Sequence, residues 1–332
     1  GLEFRRVLFR SSVRSARSLR SALLALGLSF LCAPLAAQEY PTRLIRILLG
    51  GGPDAAARMI AEKLQAAWGQ PVIVENKPQV GGTVMSQEVA NAPPDGHTLM
   101  FCSSGQFMVL PFYKVAYDMV RDFAPVTQIT TMPFVLSVHP SVPAGSVKEL
   151  IALARAKPGA FNFASSGTGT PPHLVGEMFN IEAGIKMVHV PYKTVAQATS
   201  DLLGAHVQVM FVVATAALPL LANNSIRGLA VSTERRSPFL PNLPTLAEAA
   251  GIAGFSADAW NGFCAPAKTP PQVIGKLREE IVRIIRMPDV EKRLAGLGNT
   301  IVASTPEAFG AFMAAERNKW FKYANALGVV PE

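Results

Sequence analysis

Cysteine and histidine are scarce in this chain, and neither is spaced as a metal ligand. The 332 residues contain three Cys and five His, with no HExxH or CxxC pattern. We therefore expect no metal, and we expect no cofactor. Cys102 and Cys264 lie beyond the N-terminal segment. They could pair in an oxidising compartment or stay as two buried thiols, and their separation in sequence does not decide between the two.

Several motifs of enzyme chemistry are also missing. The sequence has no GxGxxG dinucleotide fingerprint, no GxxxxGK[ST] phosphate loop and no GxSxG elbow. We predict no catalytic residue and no enzyme activity. Because a catalytic triad assembles only in three dimensions, a secreted α/β enzyme acting on small organic acids stays as an alternative.

Long apolar runs are absent except near the N-terminus. The run Ser21–Leu35 is too short for a confident membrane span, follows three Arg between positions 14 and 20, and precedes Ala36 and Ala37. This pattern is typical of a secretory signal peptide, and we predict cleavage after Ala37 and a periplasmic location. The first dozen residues contain no Met, and we interpret residues 1–37 as a non-native start plus a signal peptide.

The positive charge of the chain is concentrated in that same segment. The formal net charge is +8, but residues 1–37 contribute six Arg and one Glu. The remaining 25 basic and 22 acidic residues leave a net charge of about +3. So mild a balance gives no reason to expect a nucleic acid as partner, and we predict none.

Strand-like and helix-like segments alternate along the rest of the chain, which predicts an α/β fold with mainly parallel sheets. Two short extended runs, 133–138 and 259–265, are candidate crossings between two lobes. We predict a discontinuous lobe 1 of residues 38–135 and 261–332 and an inserted lobe 2 of residues 136–260. In this two-lobe, periplasmic-binding-protein-like fold, helices flank each sheet and a ligand cleft separates the lobes.

The most informative loop is Ser165–His173, which joins a strand-like run to a helix. Its residues are small and polar, so backbone N–H groups and hydroxyls are accessible, and a helix start adds partial positive charge. We predict that this loop binds a carboxylate or another small anion. The alternative is a simple turn followed by a helix N-cap and two prolines.

A second loop of this kind, Gly50–Asp54, also lies between a strand and a helix. We predict that this loop forms an opposing half-site. The alternative is an ordinary strand-to-helix turn, in which Asp54 caps the helix rather than binding ligand or acting as a general base.

Three further side chains are candidates with competing structural roles. His173 lies at the start of the helix that follows the Ser165–His173 loop, and it either contacts the ligand or serves as a packing or capping residue. Tyr192 and Lys193 follow a strand and present a hydroxyl and a cation to the cleft, or are a half-buried Tyr and a solvated Lys.

Ordered motifs across almost the whole chain beyond residue 37 resemble those of one known family. The chain is similar to the periplasmic solute-binding proteins of tripartite tricarboxylate transporters, the Bug receptors. The matching stretches are Gly51–Asp54, Val74–Pro78, Pro94–Leu99, Asp122–Val126, Ser165–Gly169, His189–Lys193, Leu243–Thr245, Trp260–Gly262 and Trp320. The first of these belongs to a loop that looks shorter than is usual in the family.

This resemblance implies a function. Two lobes would close on a small mono-, di- or tricarboxylate, held at the two loops by backbone amides, hydroxyls and bridging water. By position, the resemblance implies that the ligand residues are Gly51, Gly52 and Asp54 on one lobe and Ser165, Ser166, Gly167 and Thr168 on the other. The bound acid would pass to membrane permease subunits, and we expect the receptor to be a monomer. A ligand sensor for a membrane histidine kinase stays as an alternative, since it would share the site but not the partner.

Overall fold

The computed structural model describes residues 40–51 and 55–331, with the side chain of Val80 left out. The chain divides into two compact units, residues 1–42 and 43–332. The predicted signal peptide and non-native start lie outside the described residues, as do Gly52 and Asp54. Within the described residues, no helix is both long enough and apolar enough to cross a membrane.

Strands and helices alternate along the second unit. The strands are β1 (Ile45–Leu49), β2 (Val72–Asn76), β3 (Thr98–Ser103), β4 (Phe123–Met132), β5 (Phe134–Val138), β6 (Asn162–Ser165), β7 (Val188–Pro191), β8 (Val209–Val213), β9 (Arg227–Val231), β10 (Ala259–Pro266) and β11 (Thr300–Ile301). The helices are α1 (Ala55–Trp68), α2 (Thr83–Ala90), α3 (Ser104–Val109), α4 (Val147–Ala156), α5 (Pro171–Ala183), α6 (Val195–Leu203), α7 (Ala214–Ala222), α8 (Leu246–Ala250), α9 (Pro271–Ile285), α10 (Pro288–Gly296) and α11 (Pro306–Ala326), with 3₁₀ turns at Gln79–Gly82 and Leu110–Phe112.

Among the described residues, these strands form two separate sheets. The first has the spatial order β11-β4-β10-β3-β1-β2, and helices α1, α2, α9 and α11 pack against it. The second has the order β7-β6-β8-β5-β9 and is covered by α5, α6, α7 and α8. We call the first sheet with its helices lobe 1 and the second lobe 2. The predicted two-lobe α/β class is confirmed.

The sheets are mixed, and here the prediction of mainly parallel sheets was wrong. Strand β1 is parallel to β2 and β3, but β10 is antiparallel to both β3 and β4. In lobe 2, β6 is parallel to β7 and β8, while β5 is antiparallel to β8 and β9. The cause is the crossing: β4 leaves lobe 1 and β10 enters it at the same end, so these neighbours must run in opposite directions.

The chain passes between the sheets twice, at neighbouring points. Strand β4 ends at Met132, and β5 of the other sheet begins at Phe134. On the return, Asp258 directly precedes β10, and its Oδ2 accepts a hydrogen bond from Thr131 Oγ1 of β4 (3.2 Å). The two crossings are thus bonded to each other, as the hinge of a two-lobe protein requires. The boundaries predicted at 135/136 and 260/261 stay a prediction.

Candidate functional site

The loop after β6 is fixed at its first residue. Ser165 is fully buried. Its Oγ accepts the Gly167 N–H (3.1 Å) and lies 2.6 Å from His189 Nε2 on β7. Since this hydroxyl already has partners inside lobe 2, Ser165 anchors the loop and does not offer its side chain to the cleft.

The far end of the same loop is fixed by the second histidine. The Gly169 N–H donates to His173 Nδ1 (3.1 Å), and the His173 ring lies 4.0 Å from that of His189 between centroids. His173 is only 8% exposed. Of the two roles predicted for this residue, the structure favours packing and loop support, because the ring faces the loop backbone and His189.

Both imidazoles are neutral at pH 7. Burial, and to a smaller extent the adjacent His189, lower the pKa of His173 to about 4. Burial also lowers the pKa of His189 to about 4. A neutral His173 can keep Nδ1 unprotonated, which it must do to accept the Gly169 N–H. The loop is therefore supported by two uncharged imidazole rings that contact each other.

The middle of the loop has polar groups without a protein partner. Ser166 and Gly167 are partly exposed and Thr168 is exposed. Among the hydrogen bonds of residues 40–51 and 55–331, neither the N–H groups nor the hydroxyls of Ser166 and Thr168 take part. Gly167 has φ +129°, a region that favours glycine. These three residues form the donor-rich part of the loop.

The helix that follows supplies fewer donors than its position suggests. Helix α5 begins with Pro171 and Pro172 after the N-cap Thr170. Proline has no N–H, so two of the first-turn donors are missing. The Thr170 N–H and hydroxyl both bond to Gly167 O, at 3.2 and 2.6 Å. Any anion bound here would depend mainly on the loop, with the helix adding its partial charge.

On lobe 1, glycines allow close packing beneath the predicted opposing half-site. A Cβ placed on Gly82 would lie 2.7 Å from Gly50 Cα, and one placed on Gly50 would lie 2.8 Å from Gln106 Nε2. Gly51, at φ +103°, packs against Pro78. The loop of Gly50 and Gly51 therefore adjoins the 3₁₀ turn and α3, while Gly52 and Asp54 lie outside the described residues.

Sequence reasoning missed a segment of lobe 1 that faces the lobe 2 loop. Strand β3 runs into Ser103-Ser104-Gly105, and Gln106 Oε1 accepts the Ser103 N–H (2.9 Å). A Cβ placed on Gly105 would lie 3.8 Å from Pro171 Cγ of α5. Ser104 is 4% exposed, and its hydroxyl has no hydrogen bond within the part of the chain that the structure describes.

A signal for this segment was present in the sequence. The triplet Ser-Ser-Gly occurs at 103–105 and again at 165–167, each time directly after a buried strand. A second contact joins the same regions, because a Cβ on Gly169 would lie 3.9 Å from Phe112 Cδ1. The helix start at Gly105 and the C-terminal part of the lobe 2 loop, at Gly169 and Pro171, therefore lie against each other across the two lobes.

Tyr192 lies beside the lobe 2 loop, but its hydroxyl is engaged elsewhere. The Tyr192 N–H bonds to Ser165 O (2.9 Å), whereas its hydroxyl donates to Asp201 Oδ2 of α6 (2.6 Å). Burial and this carboxylate raise the pKa of Tyr192 to about 12. Lys193 is exposed. The half-buried Tyr and solvated Lys of the alternative reading describe this geometry better than a polar pair directed at the cleft.

The pairing of Ser165 with His189 resembles a nucleophile with its base, but the setting differs from that of a catalytic pair. A nucleophile must reach the substrate, and its base is held by a third group. Ser165 is fully buried, and no carboxylate bonds to His189 within the described residues. Nor do those residues contain a group of three side chains able to hold a metal ion.

Charged side chains around the first strands are paired with one another. Arg46 bonds to both Glu75 (2.6 Å) and Glu88 (2.9 Å), and Lys77 bonds to Glu88. The hydrogen bond with Glu75, followed by that with Glu88, raises the pKa of Arg46. The lobe 2 loop itself carries no charged side chain at pH 7. Its chemistry is that of neutral donors.

Comparison with known proteins identifies the family. The sequence profile described as "Tripartite tricarboxylate transporter family receptor" matches residues 56–329. This chain belongs to that family. The UPF0065 protein of the tcbD–tcbE intergenic region of Pseudomonas sp. strain P51 is 36% identical over 311 residues, which cover 91% of this chain and 93% of that protein.

Solved structures of similar proteins include two with an organic acid. Rpa4515 of R. palustris with adipate is 31% identical, has a TM-score of 0.74 and covers 89% of this chain and 100% of its own. MatC (Rpa3494) of Rhodopseudomonas palustris with bound malate is 29% identical, has a TM-score of 0.72 and covers 86% of this chain and 99% of its own. The two-lobe fold is shared along nearly the whole of these receptors.

Proposed function

We propose that this protein is a periplasmic receptor that captures a small organic carboxylate and delivers it to a tripartite tricarboxylate-type membrane permease. The observation that carries the proposal is the set of amide and hydroxyl donors of Ser166 and Thr168, which have no partner within the described residues. The loop that carries them meets lobe 1 at Gly169, where an added Cβ would lie 3.9 Å from Phe112 Cδ1. Family membership and the acids bound by Rpa4515 and MatC support the same ligand class.

The geometry suits reversible capture. Ser165 and Gly169 are held by His189 and His173, so the donors between them are positioned before ligand arrives. Donors that are already ordered cost less conformational entropy on binding. Neutral N–H and hydroxyl groups bind a carboxylate less strongly than Arg or Lys would, which favours release to a partner.

We assign the ligand contacts to both lobes. On lobe 2 they are Ser166, Gly167 and Thr168, with Ser165 in support. On lobe 1 they are Gly51, Gly52 and Asp54, as the family resemblance implies, and we add Ser104 because it lies beside the facing Gly105. Lobe closure would then bury the acid between two Ser-Ser-Gly loops.

A ligand screen tests this function directly. Purified protein is heated with mono-, di- and tricarboxylates, starting with malate and adipate, and with sugars and amino acids as controls. An acid at about 100 times its dissociation constant adds roughly 2.7 kcal/mol of stability. We expect one or more acids to raise the melting temperature by several degrees, on the order of 2–4 °C per kcal/mol.

Recovery of the ligand separates a receptor from an enzyme. After incubation with an acid that shifts the melting temperature, mass spectrometry should return that acid unchanged. Conversion to a product would contradict the receptor role, and a shift with sugars but with no acid would contradict the ligand class.

A further inference from the structure

Two thiols lie face to face inside lobe 1. Cys102 is in β3 and Cys264 in β10, which are antiparallel neighbours in the sheet. Their Sγ atoms are 2.9 Å apart, closer than two non-bonded sulphur atoms normally approach. A disulfide requires about 2.0 Å. The fold has therefore brought the two sulphur atoms most of the way to bonding distance.

The strand register explains the approach. Cys102 lies opposite Gly262, and Cys264 lies opposite Met100. The two cysteines are therefore diagonal partners, and because side chains on a strand alternate between faces, both point to the same face of the sheet. Gly262 has no side chain of its own, and the Phe309 ring occupies the space beside it, because an added Cβ would collide with that ring.

The surroundings of the pair argue against a reactive or metal-binding role. Both cysteines are fully buried, and Cys264 Sγ has Met313 Sδ as its next sulphur neighbour (3.8 Å). Burial raises the pKa of the Cys264 thiol well above its ordinary value, so the nucleophilic thiolate is disfavoured. Across the residues described, no third metal ligand joins the pair.

We propose that Cys102 and Cys264 form an intramolecular disulfide while the exported chain folds. The Sγ–Sγ bond forms as each thiol loses its proton and the pair gives up two electrons. A disulfide-bearing thiol oxidoreductase accepts both electrons and both protons and becomes a dithiol. Because the sulphur atoms are buried once lobe 1 is complete, the exchange takes place before folding ends. The proposal rests on export, which is part of the proposed function.

The cross-link would connect two parts of the candidate site. Strand β3 leads directly into Ser103-Ser104-Gly105, and β10 is the strand that returns from lobe 2. The closed loop between the two cysteines contains every strand of the lobe 2 sheet. Closing so long a loop restricts the unfolded chain and stabilises the folded state relative to it.

Peptide mapping tests the proposal. The full chain is secreted into the periplasm of a bacterial host, unfolded in denaturant with N-ethylmaleimide and no reductant, digested and analysed by mass spectrometry. We expect the Cys102 and Cys264 peptides to be joined and neither to be alkylated. The peptide containing Cys32, which lies outside the described residues, is scored separately.

Matched variants complete the mapping. Cys102→Ser and Cys264→Ser should each leave one alkylated cysteine. If both cysteines of the secreted wild-type protein are alkylated, or if either is joined to glutathione or to Cys32, the proposal is overturned. This readout needs no ligand, so its outcome is independent of the screen that tests carboxylate binding.

A stability measurement gives a second, independent readout. When the wild-type protein is melted in the presence of a reductant, its melting temperature should fall by about 5–10 °C. The double variant Cys102→Ala/Cys264→Ala, secreted and purified in the same way, should respond to reductant by less than a degree or so. An equal response of the two proteins would contradict the cross-link.

Discussion

The same triplet, Ser-Ser-Gly, follows a buried strand in each lobe, but the two copies are held in different ways. In lobe 1, helix α3 starts within the triplet, and Gln106 accepts the Ser103 N–H. In lobe 2, helix α5 starts only at Pro171, and two histidines whose rings contact each other at an angle of 35° hold the intervening loop. One copy is a helix start, and the other is an open loop with free donors.

The difference shows why the triplet alone does not define a site. A helix beginning at Ser104 commits the backbone of its first turn to helical geometry. The lobe 2 copy instead continues through Gly167, at φ +129°, which turns the chain away from the helix and exposes the amides of its neighbours. We therefore expect the lobe 2 copy of the triplet to contribute more to ligand binding than the lobe 1 copy.

The largest expected effect comes from replacing one glycine in each lobe and comparing the two losses of affinity. Gly167→Val should reduce affinity for the acid found in the screen by roughly 5- to 150-fold, corresponding to about 1–3 kcal/mol of backbone strain. The valine side chain would also obstruct the approach of ligand to the loop. The measurement is isothermal titration calorimetry with that acid.

Gly105→Ala is the matched control for this prediction. Gly105 has no left-handed φ, and its added Cβ would make only an ordinary contact with Pro171 at 3.8 Å. We expect a change of less than about 3-fold, as for a mild surface substitution. Equal losses in the two variants would show that the loops contribute equally and would contradict the asymmetry.

Low pH should reduce the folding stability of lobe 2, because histidines hold its loop. The corresponding residue in lobe 1, Gln106, does not titrate. An unfolded His binds a proton near pH 6.5, but the pKa of both folded residues is about 4. Stability from this pair is present above pH 6.5 and is lost as pH falls towards 4. The loss is on the order of 3 kcal/mol for the partly screened pair.

The measurement compares melting temperatures between pH 7.5 and pH 4.5. His173→Asn/His189→Gln keeps a hydrogen-bonding group at each position without the charge change, so its melting temperature should fall less over this range than that of the wild-type protein. Carboxylates distant from the pair titrate alike in both proteins and cancel in the comparison, whereas Glu177, whose Oε1 lies 3.9 Å from His173 Nε2, contributes to the difference. Parallel pH profiles would assign the acid sensitivity to groups other than this pair.

The smallest expected effect comes from the central serines. Ser166→Ala removes one neutral hydroxyl donor and should weaken binding by about 0.5–1.5 kcal/mol, or roughly 2- to 12-fold. Ser104→Ala in lobe 1 should weaken binding less than Ser166→Ala, because we expect the lobe 2 copy of the triplet to contribute more to binding. Calorimetry on both variants measures the difference, and a larger loss at Ser104 would reverse our assignment of the two lobes.

Local structure could be predicted well from the sequence. The spacing of Thr245 and Glu248 is typical of a capping box, and both of its hydrogen bonds are formed at 3.1 Å. Leu277 and Ile281 are spaced to lie on one face of α9, and both are fully buried. Such features depend on residues within one or two turns of each other, and a short window of sequence contains all of them.

Features that depend on distant partners could not be predicted. The sequence left the roles of His173 and Tyr192 open because each role depends on a contact with another side chain. His173 contacts the ring of His189, and the Tyr192 hydroxyl bonds to Asp201. Strand direction failed for the same reason. The sequence shows that β10 is a strand, but its antiparallel pairing follows from where the chain re-enters lobe 1.

By itself, the sequence determined the two-lobe class, the helix starts and the position of the Ser165–His173 loop, because hydrophobic period, caps and small-residue turns are local properties. Only the tertiary structure decided which polar groups of that loop stay free. The Ser165 hydroxyl and the Gly169 N–H are hydrogen-bonded to two histidines whose rings contact each other. The donors left for a ligand are therefore those of Ser166 and Thr168. Hydrogen-bond satisfaction is a property of the packed whole, because each buried group must find its partner in space rather than along the chain.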